Sequence, residues 1–277
     1  MDLDTNNSIP PKMQKVFDAF GIPDTEIREE LFRRYVSRGG QTLTIAHKEV
    51  APIVYNDLKM PKYFRKLITD GSGTAWDELA CDYLINERSI DPNSYPFMIA
   101  DGNKCSEKIY NAWRGRVIIP YFRKDDLIFY QGRDIIKSDR TKYLSPSDSR
   151  DAVFFGFDEL SADTDRPLYI HEGFFDAFLL KDSVASFSNK LSDTQILLLN
   201  RCHRPKVVIP DRQGDGNIIA NQAVQQGWSV SFPDIGSDCK DMNDAIVKYG
   251  RLYVIKSITE NTKTGFAAET AISIYCK

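Results

Sequence analysis

The chain has 277 residues, enough for one large domain or for two around a shared core, and its 42% hydrophobic and 27% charged residues are those of a globular protein. Thirty-six basic residues against 39 acidic ones leave a net charge of −3, which argues against wholesale DNA coating by counterion release but permits a local basic face beside an acidic one. Five scattered cysteines without a C-x-x-C pair, with His47, His171 and His203 as the only histidines, exclude a structural zinc module and point to a reducing compartment.

The opening MDLDTNNSIPPK is polar and acidic, unlike a signal segment, and no stretch approaches the ~18 apolar residues of a membrane span. A cytoplasmic protein without a membrane partner is the expectation. Residues 12–36 predict two short helices broken at Gly21-Ile22-Pro23, the second capped by Asp24 and Thr25. Arg33, Arg34, Arg38, Lys48, Lys59, Lys62, Arg65 and Lys66 follow, so 1–74 is expected to be a mostly helical, partly basic region. AWDELACDYLINERSI (75–90) is an amphipathic helix with Trp76, Leu79, Ala80, Tyr83 and Leu84 at helical spacing, stopped by Asp91-Pro92.

From residue 115 the period becomes that of sheet. GRVIIPYF, DLIFYQGRDI, KYLSP and AVFFGFDEL are short β-like runs between polar turns, giving a small mixed subdomain over 75–165. After 168, strand and helix alternate: LYIHE, FFDAFLLKD, SVASF, SDTQILLLNRC, KVVIPD, NIIANQAVQQG and WSVSFPD. Short apolar strands between amphipathic helices predict a mostly parallel, doubly covered sheet over 166–246, within a mixed α/β protein. MNDAIVKYGRLYVIKSITENT is helical, and 247–277 forms a C-terminal helical tail.

Ligands of an open α/β sheet bind beyond the carboxyl ends of its strands. Glu172 ends LYIHE, Asp211 ends KVVIPD, and Asp241 lies just beyond WSVSFPD. Carboxylates gathered there repel one another unless a cation or proton offsets them, and an oxygen-only set suits Mg²⁺ or Mn²⁺ shared with substrate phosphates. Metal-assisted phosphoryl or nucleotidyl transfer is the chemistry implied. Asp176, one helical turn beyond Glu172, and Asp244, in the same segment as Asp241, are supporting carboxylates. Arg114, Arg116, Arg133, Lys142 and Lys240 are candidates for holding DNA or nucleotide phosphates. His171 points to the opposite side of its strand from Glu172 and is expected to be a packed histidine. QGDGN is neither a P-loop nor a dinucleotide fingerprint.

These pieces, in order, resemble a known family. YIHEGFFDAFLL is similar to the E-G-x-x-D segment that opens the toprim fold of DnaG-type primases, VVIPDRQGDG to its second acidic strand end, and CKDMNDA to its third. GRVIIP, FYQGRDI, KYLSP and FFGFDEL resemble the upstream segments of the primase core, and CDYLINERSI its entry. RVIIPYF, FYQGRD and KDMNDAI lean towards primases of large tailed bacteriophages, and the resemblance spans about residues 76–277. It implies a toprim catalytic domain with Glu172 as catalytic glutamate and Asp211 and Asp241 as metal-binding aspartates. It further implies primer synthesis on single-stranded DNA from ribonucleoside triphosphates with Mg²⁺, alongside a replicative helicase and, for a phage protein, in the host cytoplasm.

Two departures stand out. Where the family pattern has D-x-D, this chain reads Asp211-Arg212-Gln213, so Gln213 or Asp215 would complete the metal set. Residues 1–75 hold no cysteine-rich zinc module, so template reading would come from a separate zinc-bearing protein. The alternatives are a degenerate primase-like subunit that binds DNA or a helicase without polymerising, and a toprim nuclease.

Overall fold

The computed structural model describes residues 58–275 apart from 138, 148–150, 212–215, 237 and 240. Gln213, Asp215, Lys240 and the two helices expected over 12–36 therefore lie outside the described residues.

A first, antiparallel sheet takes its strands in chain order: β1 (Phe64–Lys66), β2 (Met98–Ala100), β3 (Arg116–Arg123), β4 (Asp126–Asp134) and β5 (Tyr143–Leu144). The long β3–β4 hairpin turns at Lys124, whose φ of +54° is that of a tight hairpin. β1 falls inside the stretch expected to be helical; three residues are too few for periodicity to reveal. Asp77 secures it to helix α1 (Ala75–Asp82), accepting from Thr74 N at 2.8 Å and Ile68 N at 2.9 Å while both its oxygens receive Arg65. The helix does not run regularly to residue 90: it widens into a π turn over Tyr83–Glu87, with Tyr83 and Leu84 buried. Helix α2 (Glu107–Trp113) leads into β3.

The second sheet has β6 (Leu168–His171), β7 (Ser183–Ala185), β8 (Lys206–Val208), β9 (Ser229–Ser231) and β10 (Thr262–Lys263), in the spatial order β10-β9-β8-β6-β7. All pairings are parallel except β10 on β9. The expected common sheet for LYIHE and KVVIPD is present: Tyr169 lies opposite Val207 and Ile170 opposite Val208. Helices α3 (Phe174–Phe178), α4 (Asp193–Arg201), α5 (Gly216–Gln225), α6 (Met242–Tyr249), α7 (Arg251–Glu260) and α8 (Gly265–Tyr275) complete this half. The β-like run AVFFGFDEL is not a strand. Phe155 makes one bridge to Ala185, then Gly156 turns at φ +67°, where a Cβ would stand 2.5 Å from Ser183 O. The expected long terminal helix is divided at Gly250, φ +84°.

Both faces of the second sheet are covered. Leu168, Ile170, Val208 and Val230 pack with Leu199, Ile219 and Ala223, while Tyr169 and Val207 join Phe174, Val254 and Ile258. That second cluster also takes Val117, Ile119, Tyr121 and Phe129 from the first sheet, so one core joins the two sheets. Phe155 and Phe174 meet edge to face at 4.7 Å, one of many ring pairs there, each contributing about 0.5–1.5 kcal/mol beyond its area. The start of β6 is held by fully buried Arg204, which donates to Arg166 O, Pro167 O, Glu159 and Asp182. Such a guanidinium is tolerable inside because its donors are spent on carbonyls and carboxylates.

Candidate active site

β6 and β8 are parallel neighbours, so the residues just beyond them emerge at the same edge of the sheet. Glu172 leaves β6 and Gly173 turns the chain into α3; a Cβ on that glycine would lie 3.0 Å from Asp176 Oδ2. Asp211 follows β8 and donates its N–H to Glu172 Oε1 at 3.1 Å. Gly216 opens α5 so tightly beneath it that a Cβ there would stand 2.3 Å from Asp211 O. Asp241 caps α6, its Oδ1 accepting from Asp244 N at 2.9 Å.

Glu172, Asp176, Asp211 and Asp241 line one cavity of about 180 Å³. Arg88, Arg133 and Lys142 line the same cavity, together with Phe187, Ser188 and Asn189. The predicted carboxylates are thus brought together with two of the predicted cations. Arg114 and Arg116 are not. Arg114 ends α2 on the exposed surface, and its carbonyl accepts from Arg140. Arg116 is 2% exposed, its guanidinium donating to Ala112 O at 3.2 Å and Gly132 O at 3.1 Å, so it serves the packing of β3 and β4. Asp244 contributes its backbone N–H rather than a cavity-lining carboxylate.

Two residues that sequence reasoning passed over are central. Arg88 follows the π turn; Nη1 reaches Asp241 Oδ2 at 3.4 Å and Asn243 Oδ1 at 3.3 Å, Nε donates to Tyr83 OH at 2.9 Å, and the guanidinium lies 4.7 Å from the Phe175 ring centroid. Asn243, fully buried, returns Nδ2 to Arg88 O at 3.1 Å and donates its N–H to Asp176 Oδ1 at 3.3 Å. An arginine after a helix and an asparagine inside an acidic segment carry no distinguishing spacing.

The charges answer one another. Burial, reinforced by the charges of Asp241 and Asp211, pushes Asp176 up to about 8. Asp211 is also raised, by desolvation and by Asp241, against the opposing pull of Lys142. Lys142 is lowered by desolvation and by Arg133 and Arg88, while Asp211 and Asp241 act to raise it. Arg133 Nε is buried without a hydrogen-bond partner, its guanidinium 5.1 Å from the Tyr143 ring centroid. His171 is the packed histidine expected: it is 1% exposed, burial lowers it to about 3, and Nε2 stands 3.5 Å from Ser183 Oγ.

Among the described residues, no three His, Cys, Asp or Glu side chains already enclose a metal position. The donor set still fits a Mg²⁺-like ion, which retains waters and takes only one or two carboxylates plus substrate phosphates. Burial first, and then the neighbouring Asp241 and Asp211, disfavour the charged form of Asp176, and a cation placed among these carboxylates would offset that cost.

No family model matches this chain, and no curated protein matches it. Solved structures do. The chain is similar to a DnaG catalytic core at 19% identity and TM-score 0.56, covering 72% of this chain and 77% of that one. It is similar to the RNA polymerase domain of Mycobacterium tuberculosis primase DnaG at 18% identity and TM-score 0.57, covering 73% and 81%. A DnaG primase catalytic domain bound to single-stranded DNA matches at 17% identity and TM-score 0.55, covering 72% and 76%. At these identities the likeness is one of fold: a mixed α/β, toprim-containing architecture of the kind found in DnaG primase catalytic cores. No helix among the described residues is long and apolar enough to cross a membrane.

Proposed function

We propose that this chain is a primase-type nucleotidyltransferase core that makes short RNA primers on single-stranded DNA from ribonucleoside triphosphates. The observation that supports it most is that one cavity is lined both by Glu172, Asp176, Asp211 and Asp241 and by Arg88, Arg133 and Lys142. A triphosphate needs both: cations for its oxygens and carboxylates for the ion that accompanies it.

In nucleotidyl transfer a ribose 3′-hydroxyl attacks the α-phosphorus, the new P–O bond forms, the α–β bridge breaks, and the hydroxyl proton must leave. Arg88 and Arg133 would fork phosphate oxygens, and Lys142 would place a point charge among them. The stacking of Arg88 on Phe175 restricts its guanidinium before substrate arrives. Glu172, held by Asp211 N–H, presents a carboxylate able to hold a cation or accept a proton. Glu172, Asp211 and Asp241 would hold Mg²⁺ or Mn²⁺, which when bound neutralises developing charge on the phosphate oxygens. Gln213 or Asp215 would complete that set.

The template would be single-stranded DNA, the ligand bound to one of the similar DnaG catalytic domains. A replicative helicase and a zinc-bearing template-reading protein are the proposed partners, and the host cytoplasm of a tailed bacteriophage the proposed setting. The second reading, a degenerate binding subunit, is favoured by Gln213 at the family's aspartate position. Primer synthesis from labelled ribonucleotides on single-stranded DNA with Mg²⁺, with and without helicase and a zinc-bearing partner, decides between them. Product supports the enzyme; tight DNA binding without product under every condition supports the subunit.

A further inference from the structure

We infer that Phe187 is a positioning residue that locks the cation-bearing sheet onto the carboxylate-bearing sheet across the cavity; this rests on the triphosphate reading above. Phe187 follows β7 and holds φ +63°, a left-handed conformation that bulky L-residues rarely adopt and that persists only when the surroundings enforce it. Two sets of contacts do so, one for each sheet.

Its backbone belongs to the acidic side. Phe187 N donates to Glu172 O at 2.9 Å, and Ser186 N donates to His171 O at 3.0 Å, so the loop is bonded onto the end of β6 where the catalytic candidate stands. Gln195 Nε2 holds the same loop from α4 through Ser186 O at 3.2 Å. Its ring belongs to the basic side. The centroid lies 4.3 Å from that of Tyr121 on β3 and 6.3 Å from that of Phe129 on β4, both rings fully buried. From Tyr121 the connection continues through Gln131 Oε1 at 3.2 Å, and from Gln131 Nε2 to Ser145 Oγ at 3.1 Å. Arg133 lies two positions beyond Gln131, and Lys142 three before Ser145. One residue thus has its amide on the Glu172 backbone and its ring against the β3–β4 hairpin, whose second strand carries Arg133. Phe174 also reaches Tyr121, at 6.0 Å between ring centroids, but its backbone amide does not bond to the Glu172 carbonyl as that of Phe187 does.

The test separates ligands that need one half of the site from ligands that need both. Mn²⁺ alone reports the carboxylates; Mn²⁺ with ATP reports carboxylates and cations in register. For Phe187→Ala, free Mn²⁺ affinity measured by electron paramagnetic resonance should stay within about two-fold, whereas affinity for the Mn²⁺–ATP complex should fall by about 10–100-fold, the cost of a misplacement near 1 Å. Phe187→Leu should recover most of the loss by refilling the space between Tyr121 and Phe129. Tyr121→Leu, which leaves the loop backbone untouched, should reproduce the pattern and serves if Phe187→Ala fails to fold. Parallel losses for both ligands, or none, in a folded variant would overturn the proposal and leave a merely structural phenylalanine. Wild-type protein that binds neither probe would overturn the reading of the site itself, and this inference with it.

Discussion

Arg88 Nη1 meets Asp241 Oδ2 at 3.4 Å across 153 residues of chain. This contact joins the end of the helical segment that α1 begins to the N-cap of α6, and both residues line the cavity. Burial would lower the Arg88 pKa, but Tyr83 and Asp241 outweigh it and the net shift is upward, so the cation persists at any working pH.

Arg88→Ala should therefore cost triphosphate affinity by about 1.5–3 kcal/mol, the range for a charged hydrogen-bonding group. Arg88→Lys should recover only part of it, since an ammonium neither forks a phosphate nor stacks as a plane on Phe175. Calorimetric titration with ATP and Mg²⁺ measures both. Equal affinity in wild type and Arg88→Ala would remove Arg88 from the site.

Glu172→Gln keeps the shape and one acceptor for Asp211 N–H but loses the charge. Primer synthesis should drop by about 10²–10³-fold, while the melting temperature and DNA affinity stay close to wild type. A fully active variant would defeat the assignment of Glu172.

Arg116 and Arg133 should separate by phenotype although both are strand arginines. Arg116→Met strands the carbonyls of Ala112 and Gly132 and should destabilise by about 1–3 kcal/mol. At about 2–4 °C per kcal/mol for a chain of this size, the loss is visible in a melting curve, and the salt dependence of DNA binding should not change. Arg133→Ala and Lys142→Ala should instead each flatten that salt slope by about 1. The reverse assortment would return Arg116 to the nucleic-acid face.

Asp176 gives a pH dependence with a definite sign. Its folded pKa is raised from 3.8 to about 8 by burial and by Asp241 and Asp211, so between those values the folded state binds more protons than the unfolded one. Stability from this group is present at low pH and declines as pH rises towards about 8. In EDTA, Asp176→Asn should match wild type near pH 4 and melt above it near pH 8. Mg²⁺ should narrow the gap by neutralising the wild-type cluster. A difference independent of pH would contradict the protonated carboxyl.

The second sheet was legible because each strand is short, apolar and followed by a helix of clear periodicity. The same pattern put Glu172 and Asp211 at neighbouring strand ends, since parallel pairing of β6 and β8 leaves little choice. What periodicity could not supply was the other half of the cavity. Arg88 arrives through a π turn, which shifts helical register by a residue and hides the face it points to. Arg116 opens β3 as a charge at a strand edge, yet α2 covers that side and supplies the carbonyl of Ala112. AVFFGFDEL has strand composition, but the left-handed turn at Gly156, φ +67°, ends the extended run after the single bridge of Phe155 to Ala185. Phe187 gave no signal at all, because a left-handed phenylalanine is dictated by its neighbours and not by its own preferences.

The two-residue strand β10, drawn from far along the chain, lies against β9, and α8 packs beside it on α5. During synthesis, β6 to β9 are all available before residues 262–275 have left the ribosome. Until then the outer side of β9 is a row of unpaired amides and carbonyls, the form of edge along which chains join one another. Thr262 and Lys263 close that edge with the smallest possible strand, and a lysine is among the side chains that discourage further addition. A chain interrupted before this point would keep the strand ends that carry Glu172 and Asp211 but lack both this strand and the α8 residues Ala268, Ala271 and Ile272 of the core, so aggregation would be the mark of truncation there.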